Sequence, residues 1–232
     1  MSYPLPQDFS RFGVTGIEPA GVPGTPCVVL LSGGIDSLVT LDLVRRAEYQ
    51  PHPLFIAYGQ SNIIELEYAK AQMVERELQL RVVSIEGLGA LSPHCSMLNG
   101  TTDAEKFVRI SDVHVPARMA IFMSIAATYM FSLNTPFLAV GIQSEGLPQH
   151  HADASGTFVD QMEEALALAL NCDSFQCFTP LLNMRKKQIA VLAEALNIPI
   201  DSTCSCLLRA EKMGMYPCGG CAACAPGGLP WR

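Results

Sequence analysis

Ser32-Gly33-Gly34-Ile35-Asp36-Ser37 directly follows the apolar run Cys27-Val28-Val29-Leu30-Leu31 and leads into residues whose apolar positions recur at helical spacing. A strand that ends in paired glycines and enters a helix suits an anion. Glycine lets backbone N–H groups approach phosphate oxygens closely and accepts positive φ where the turn needs it. The helix start adds unsatisfied donors and the positive end of its dipole. Ser32 and Ser37 add hydroxyl donors, with Leu31 and Ile35 framing the loop. Asp36 beside an anion either caps the helix or helps to hold a magnesium ion carried by a nucleotide. No Gly-Lys-Ser/Thr follows and no G-x-G-x-x-G occurs, so this is neither a Walker loop nor a dinucleotide fingerprint.

The second cluster is Cys218-Gly219-Gly220-Cys221-Ala222-Ala223-Cys224, a C-x2-C-x2-C run. With a fourth thiolate from Cys204 or Cys206 it completes a tetrahedral zinc site, which is closed and therefore structural. Metal binding would then hold down a tail with too few apolar residues for a core of its own. A redox Cys-x-x-Cys pair fits three evenly spaced cysteines less well, and an iron–sulfur cluster uses similar spacings. Pro217-Cys218-Gly219-Gly220-Cys221 matches half of the zinc deaminase signature, but the His-x-Glu or Cys-x-Glu half is missing.

The chain of 232 residues has 49% apolar and 16% charged residues, an ordinary globular composition. Its formal net charge of -7, without a basic stripe, argues against a duplex nucleic acid partner and for small-molecule chemistry. No apolar stretch is long enough to span a bilayer, and the N-terminus lacks signal-peptide character, so a cytoplasmic location is expected. The nine cysteines are then not a disulfide framework.

These residues need elements to position them. Strands are expected at 27–31, 53–58, 80–85 and 137–141, and helices at 36–48, 63–78, 117–131, 158–170 and 185–196. Alternating strands and helices imply an α/β, doubly wound, mostly parallel sheet covered on both faces. Residues 87–112 read as a long loop, and residues 1–25 as an N-terminal extension. His150 and His151 read as a solvated pair in a polar loop.

SGGIDS resembles the SGGxDS signature of the N-type ATP pyrophosphatases (the PP-loop family), which split ATP into AMP and pyrophosphate while adenylating a substrate oxygen. Further stretches resemble the 7-cyano-7-deazaguanine synthase (QueC) family. They are Tyr58-Gly59-Gln60 with Glu65-Leu66, Val115-Pro116-Ala117-Arg118 leading into Ile121-Phe122-Met123-Ser124, Thr179-Pro180-Leu181 with Lys186, and Thr203 to Cys206 with CGGCAAC. The resemblance runs from about Pro26 to Cys224. It implies an adenine nucleotide alpha hydrolase-like fold with a PP-loop domain at 26–200 and a zinc-binding C-terminal segment at 201–232. It also implies that Cys206, with Cys218, Cys221 and Cys224, ligates zinc.

The implied cofactors are ATP, Mg2+ and Zn2+. ATP would be bound by residues 31–37 with Tyr58 and Gln60, and Asp36, Ser37, Arg118 and Lys186 would be catalytic, the two cations neutralising departing pyrophosphate. Arg118 and Asp153 would meet the substrate. The implied reaction is adenylation of the carboxylate of 7-carboxy-7-deazaguanine, attack by ammonia to give an amide, and a second adenylation that dehydrates it to a nitrile. A homodimer is expected.

Three segments depart from the family pattern. YGQRH reads Tyr58-Gly59-Gln60-Ser61-Asn62, VPGRN reads Val115-Pro116-Ala117-Arg118-Met119, and DYSGYPDCR is replaced between Glu145 and Ser155, where only Asp153 lands on the family's aspartate. The ATP half therefore matches better than the acceptor half. Such a chain could join a deazaguanine acid to a different amine, even one on a protein. The other readings are an RNA-thiolating enzyme, which the acidic balance disfavours, and a nucleotide-binding module without catalysis.

Overall fold

The computed structural model describes residues 6–99, 114–143 and 149–205. Five strands form one sheet: β1 (Pro26–Leu30), β2 (Gln50–Ala57), β3 (Arg81–Ser84), β4 (Phe137–Val140) and β5 (Gln176–Phe178). Their order is β3-β2-β1-β4-β5, and every pairing is parallel. The longer helices are α1 (Ile35–Arg46), α2 (Glu65–Glu75), α5 (Arg118–Leu133), α6 (Gly156–Leu170) and α7 (Lys186–Ala195), with two single turns, α3 (Leu88–Leu91) and α4 (Ser96–Asn99).

Alternation along the central strand divides the core. Cys27 and Val29 face a cluster built with Leu38, Leu41 and Val44 of α1, Ala69 and Met73 of α2, and Ile189, Leu192 and Ala193 of α7. Val28 and Leu30 face the opposite cluster, with Met123, Ala127 and Met130 of α5 and Val159 and Leu166 of α6. Helices on both faces explain why β1 reads as a continuous apolar run. The segment before β1, read as an extension, places Phe9, Val14, Ile17 and Ala20 in the first cluster. The Ala20 N–H donates to the Ala47 carbonyl at 2.7 Å.

Several elements differ from the sequence expectation. β2 begins at Gln50 and so runs through Pro51 and Pro53, although it lies between β1 and β3. Leu54 accepts from the Leu31 N–H, and the Gln50 N–H donates to Thr25, so the even-numbered residues bond toward β1. The prolines point the other way, and pairing with β3 begins only at Leu54. No ladder bond is lost, so the usual exclusion of proline from inner strands does not apply. β5, only three residues long, was not expected at all, and part of the expected loop at 87–112 forms α3 and α4.

The chain leaves β1 toward β2 and β3 on one side and later returns to β4 on the other. That reversal is a topological switch point, and ligands of such sheets bind outside the strands' C-terminal ends there. The residues after β1, β2 and β4 carry the functional side chains.

Candidate active site

The loop after β1 is held from within. The Ser37 hydroxyl donates to the Gly34 carbonyl at 3.0 Å and accepts from the Ser32 N–H at 3.1 Å. Ser32 Oγ accepts from the Gly34 N–H at 3.3 Å and lies 3.2 Å from Ser37 Oγ. Ser37 is buried while Ser32 is exposed, so Ser37 shapes the loop and Ser32 faces outward. Gly34 caps α1 and has no side chain to satisfy the helix start, leaving that end suited to an anion.

Gly33 has φ of +79°, and a Cβ there would lie 2.3 Å from the Glu65 carbonyl oxygen. Close approach of α2 thus requires glycine. The Gly33 carbonyl accepts from the Cys204 N–H at 2.9 Å and from Gln72 Nε2 at 2.9 Å. Gln72 Nε2 also donates to the Ser202 carbonyl at 2.8 Å, and the Ile35 N–H reaches Ser205 Oγ at 3.5 Å. The chain leading into the cysteine tail is therefore docked on the phosphate loop.

Asp36 does not cap α1 among the described residues. Its Oδ2 accepts from Lys186 Nζ, the first residue of α7, in an ion pair whose side chains are about a quarter exposed. Its Oδ1 is buried with no hydrogen-bond partner among the described residues. A hard carboxylate oxygen left unsatisfied at the mouth of a phosphate loop fits magnesium, which binds through one or two carboxylates and substrate phosphates. Gly141, just past β4, approaches so closely that a Cβ there would be 2.8 Å from the Asp36 carbonyl.

A second group gathers beyond β2. Arg118 Nη1 donates to the Tyr58 hydroxyl at 3.1 Å, and the Tyr58 ring packs on Phe122 at 5.2 Å. Burial pushes the Tyr58 phenol up from its ordinary value, with Arg118 opposing. Gln60 is buried, and its Oε1 accepts from the Tyr58 N–H at 2.8 Å, so it shapes the turn. Asp153 Oδ2 accepts from the Met119 N–H at 3.2 Å and completes the start of α5. Glu65 opens α2, and Asn62 Nδ2 donates to its Oε1 at 3.3 Å. Burial pushes the Glu65 carboxyl up to about 8 against the opposing effects of Arg118 and the Asn62 hydrogen bond.

The residues picked out in the sequence thus fall into two neighbouring sets. One holds Ser32 to Ser37 with Lys186; the other holds Tyr58, Gln60, Arg118 and Asp153. Glu65 joins them, its carbonyl against Gly33 and its carboxyl in the field of Arg118. Gln72 was missed, although a polar residue on the apolar face beside Ala69 and Met73 was a usable signal. Cys206, Cys218, Cys221 and Cys224 lie outside the described residues, and among the described residues no cluster of metal-ligating side chains occurs. No described helix is long and apolar enough to cross a membrane.

Sheet order, switch point and loop are those of the PP-loop class of ATP-using enzymes. A 4-thiouridine synthetase solved in complex with RNA and with bound ATP has the same fold, with a TM-score of 0.53 at 17% identity, over 90% of this chain and 47% of that one. The family described as "Queuosine biosynthesis protein QueC" matches residues 26–226, and the chain belongs to it. A 7-cyano-7-deazaguanine synthase of Sulfurihydrogenibium is 32% identical over 211 residues, covering 85% of this chain and 90% of that protein. One from Acetivibrio thermocellus is 32% identical over 205 residues, covering 85% and 88%.

Proposed function

We propose that the protein adenylates the carboxylate of 7-carboxy-7-deazaguanine, or a close deazapurine acid, and transfers the acyl group to ammonia or another amine. The observation that carries this reading is the phosphate loop with Lys186 paired to Asp36 at its mouth. A carboxylate oxygen attacks the α-phosphorus of ATP, the bond to the β-phosphate breaks, and pyrophosphate leaves. Lys186 and the start of α1 meet the charge that builds on its oxygens, where fixed donors outperform water. The amine then attacks the acyl carbon, forming the C–N bond, and AMP departs with the carboxylate oxygen. A second adenylation, on the amide oxygen, would give the nitrile named in the relatives' description.

Asp36 Oδ1 would hold Mg2+, which when bound adds positive charge beside the phosphates. Arg118 and Asp153 would border the acid, and Tyr58 and Gln60 the nucleotide. Cys206, Cys218, Cys221 and Cys224 would hold a structural Zn2+ in a segment beginning at residue 201, behind a PP-loop domain at 26–200. Transfer to an amine other than ammonia is a second reading. Asp153, the one residue kept from the family's pocket segment, has its Oδ2 committed to the Met119 N–H.

The test is to incubate the protein with ATP, Mg2+ and 7-carboxy-7-deazaguanine, with and without ammonium, and identify products by mass. AMP, pyrophosphate and an amide or nitrile are expected. Absence of AMP and pyrophosphate with every deazapurine acid would overturn the reading.

A further inference from the structure

Three carboxylates accompany the phosphate loop and Arg118: Asp36, Asp153 and Glu65. Asp36 is paired with Lys186, and Asp153 holds the Met119 N–H. Glu65 is part-buried, and among the described residues its carboxyl receives a hydrogen bond from Asn62 alone. Its place at the start of α2 sets its backbone carbonyl against Gly33 of the phosphate loop. The same Asn62 Nδ2 also lies 3.8 Å from Cys204 Sγ. The titratable and charged groups facing Glu65 are Arg118 of α5 and Tyr58 at the end of β2, with Asp153 beside Arg118 and Cys95 beside Tyr58.

We propose that Glu65 is the base that takes the proton released when the amine attacks the acyl-adenylate, an inference that rests on the reaction proposed above. As the N–C bond forms and the C–O bond to AMP breaks, one N–H proton passes to the Glu65 carboxylate and leaves to water after the product departs. A carboxyl held near 8 is a stronger base than an ordinary one, and base catalysis is most effective when the pKa lies near the working pH. Arg118 keeps part of it ionised.

The variant Glu65→Gln preserves shape and the hydrogen bond from Asn62. Three rates are compared with wild type: acid-dependent exchange of pyrophosphate into ATP, amide formation from ammonium, and hydroxamate formation from hydroxylamine, whose adjacent lone pairs let it attack an acyl-adenylate without help from a base. Amide formation is expected to fall by about a hundredfold or more, while exchange and hydroxamate formation fall by less than about tenfold. The ratio of wild-type to variant amide rates should rise with pH and level off above about 8. Equal loss of all three rates would make Glu65 a structural support of the loop and overturn the proposal, as would amide formation at the wild-type rate. If wild type itself shows no exchange, the reaction proposed above fails first.

Discussion

Lys186 and Asp36 are 150 positions apart in sequence, yet they form an ion pair at the mouth of the phosphate loop. Helix α7 packs on α1 across one face of the sheet, and that packing carries the lysine to the aspartate. Partial exposure makes the pair a weak source of stability. Its placement suits charge on phosphate instead. Lys186→Met is therefore expected to slow AMP formation by about a hundredfold to a thousandfold, the usual cost of one lost donor to a developing anion. Asp36→Ala should likewise stop AMP formation without unfolding the chain. AMP release by chromatography, with the melting curve as control, checks both; normal turnover of either would refute its role.

Ala117 has φ of +55° immediately before α5, while the other non-glycine residues at positive φ among those described lie just past helix ends. It stands where the family pattern VPGRN has glycine. An L-residue in this region costs about 1–2 kcal/mol, and glycine's extra unfolded freedom costs about 0.5–1 kcal/mol. Ala117→Gly should therefore stabilise the fold by about 0.5–1 kcal/mol, read as a higher denaturant midpoint. A lower midpoint would contradict the strain.

Glu65 predicts how stability varies with pH. Its folded pKa is raised from 4.5 to about 8, so its contribution is fully present below about pH 4.5 and is lost as pH rises toward about 8. Glu65→Gln keeps the neutral form throughout. The melting temperature of the variant relative to wild type should climb between those two pH values. A gap that stays constant across them would mean that the carboxyl is not withdrawn from water.

For the cysteine tail, Cys221→Ser should lose about one equivalent of bound zinc, since a closed four-thiolate site needs every ligand. Cys204→Ser should keep its zinc, because the family pattern assigns the ligand to Cys206. Metal analysis of the purified variants decides. Full zinc in Cys221→Ser, or none in Cys204→Ser, would contradict the assignment.

The loop was legible because its chemistry is local: six consecutive residues after an apolar strand specify turn, donors and helix start. Periodicity likewise revealed α1, α5 and α7, whose buried faces repeat along the helix. What stayed hidden depends on distant partners. β5 is a strand because Gln176 to Phe178 lie beside β4, and three residues carry too little pattern to announce it. Pro51 and Pro53 hid the start of β2, since only pairing geometry reveals that no bond is lost there. Gln72 gains its role from a carbonyl 39 positions away, and Glu65 from the meeting of α2 with the loop and Arg118.

The account turns on whether a carboxylate oxygen attacks the α-phosphorus of ATP. The direct measurement uses 7-carboxy-7-deazaguanine labelled with heavy oxygen in its carboxylate, with ATP, Mg2+ and ammonium, followed by mass analysis of the AMP. One labelled oxygen in the AMP is predicted, transferred when the acyl carbon passes to the amine. Unlabelled AMP, formed alongside pyrophosphate, would mean that water or another oxygen attacks, and would contradict the account.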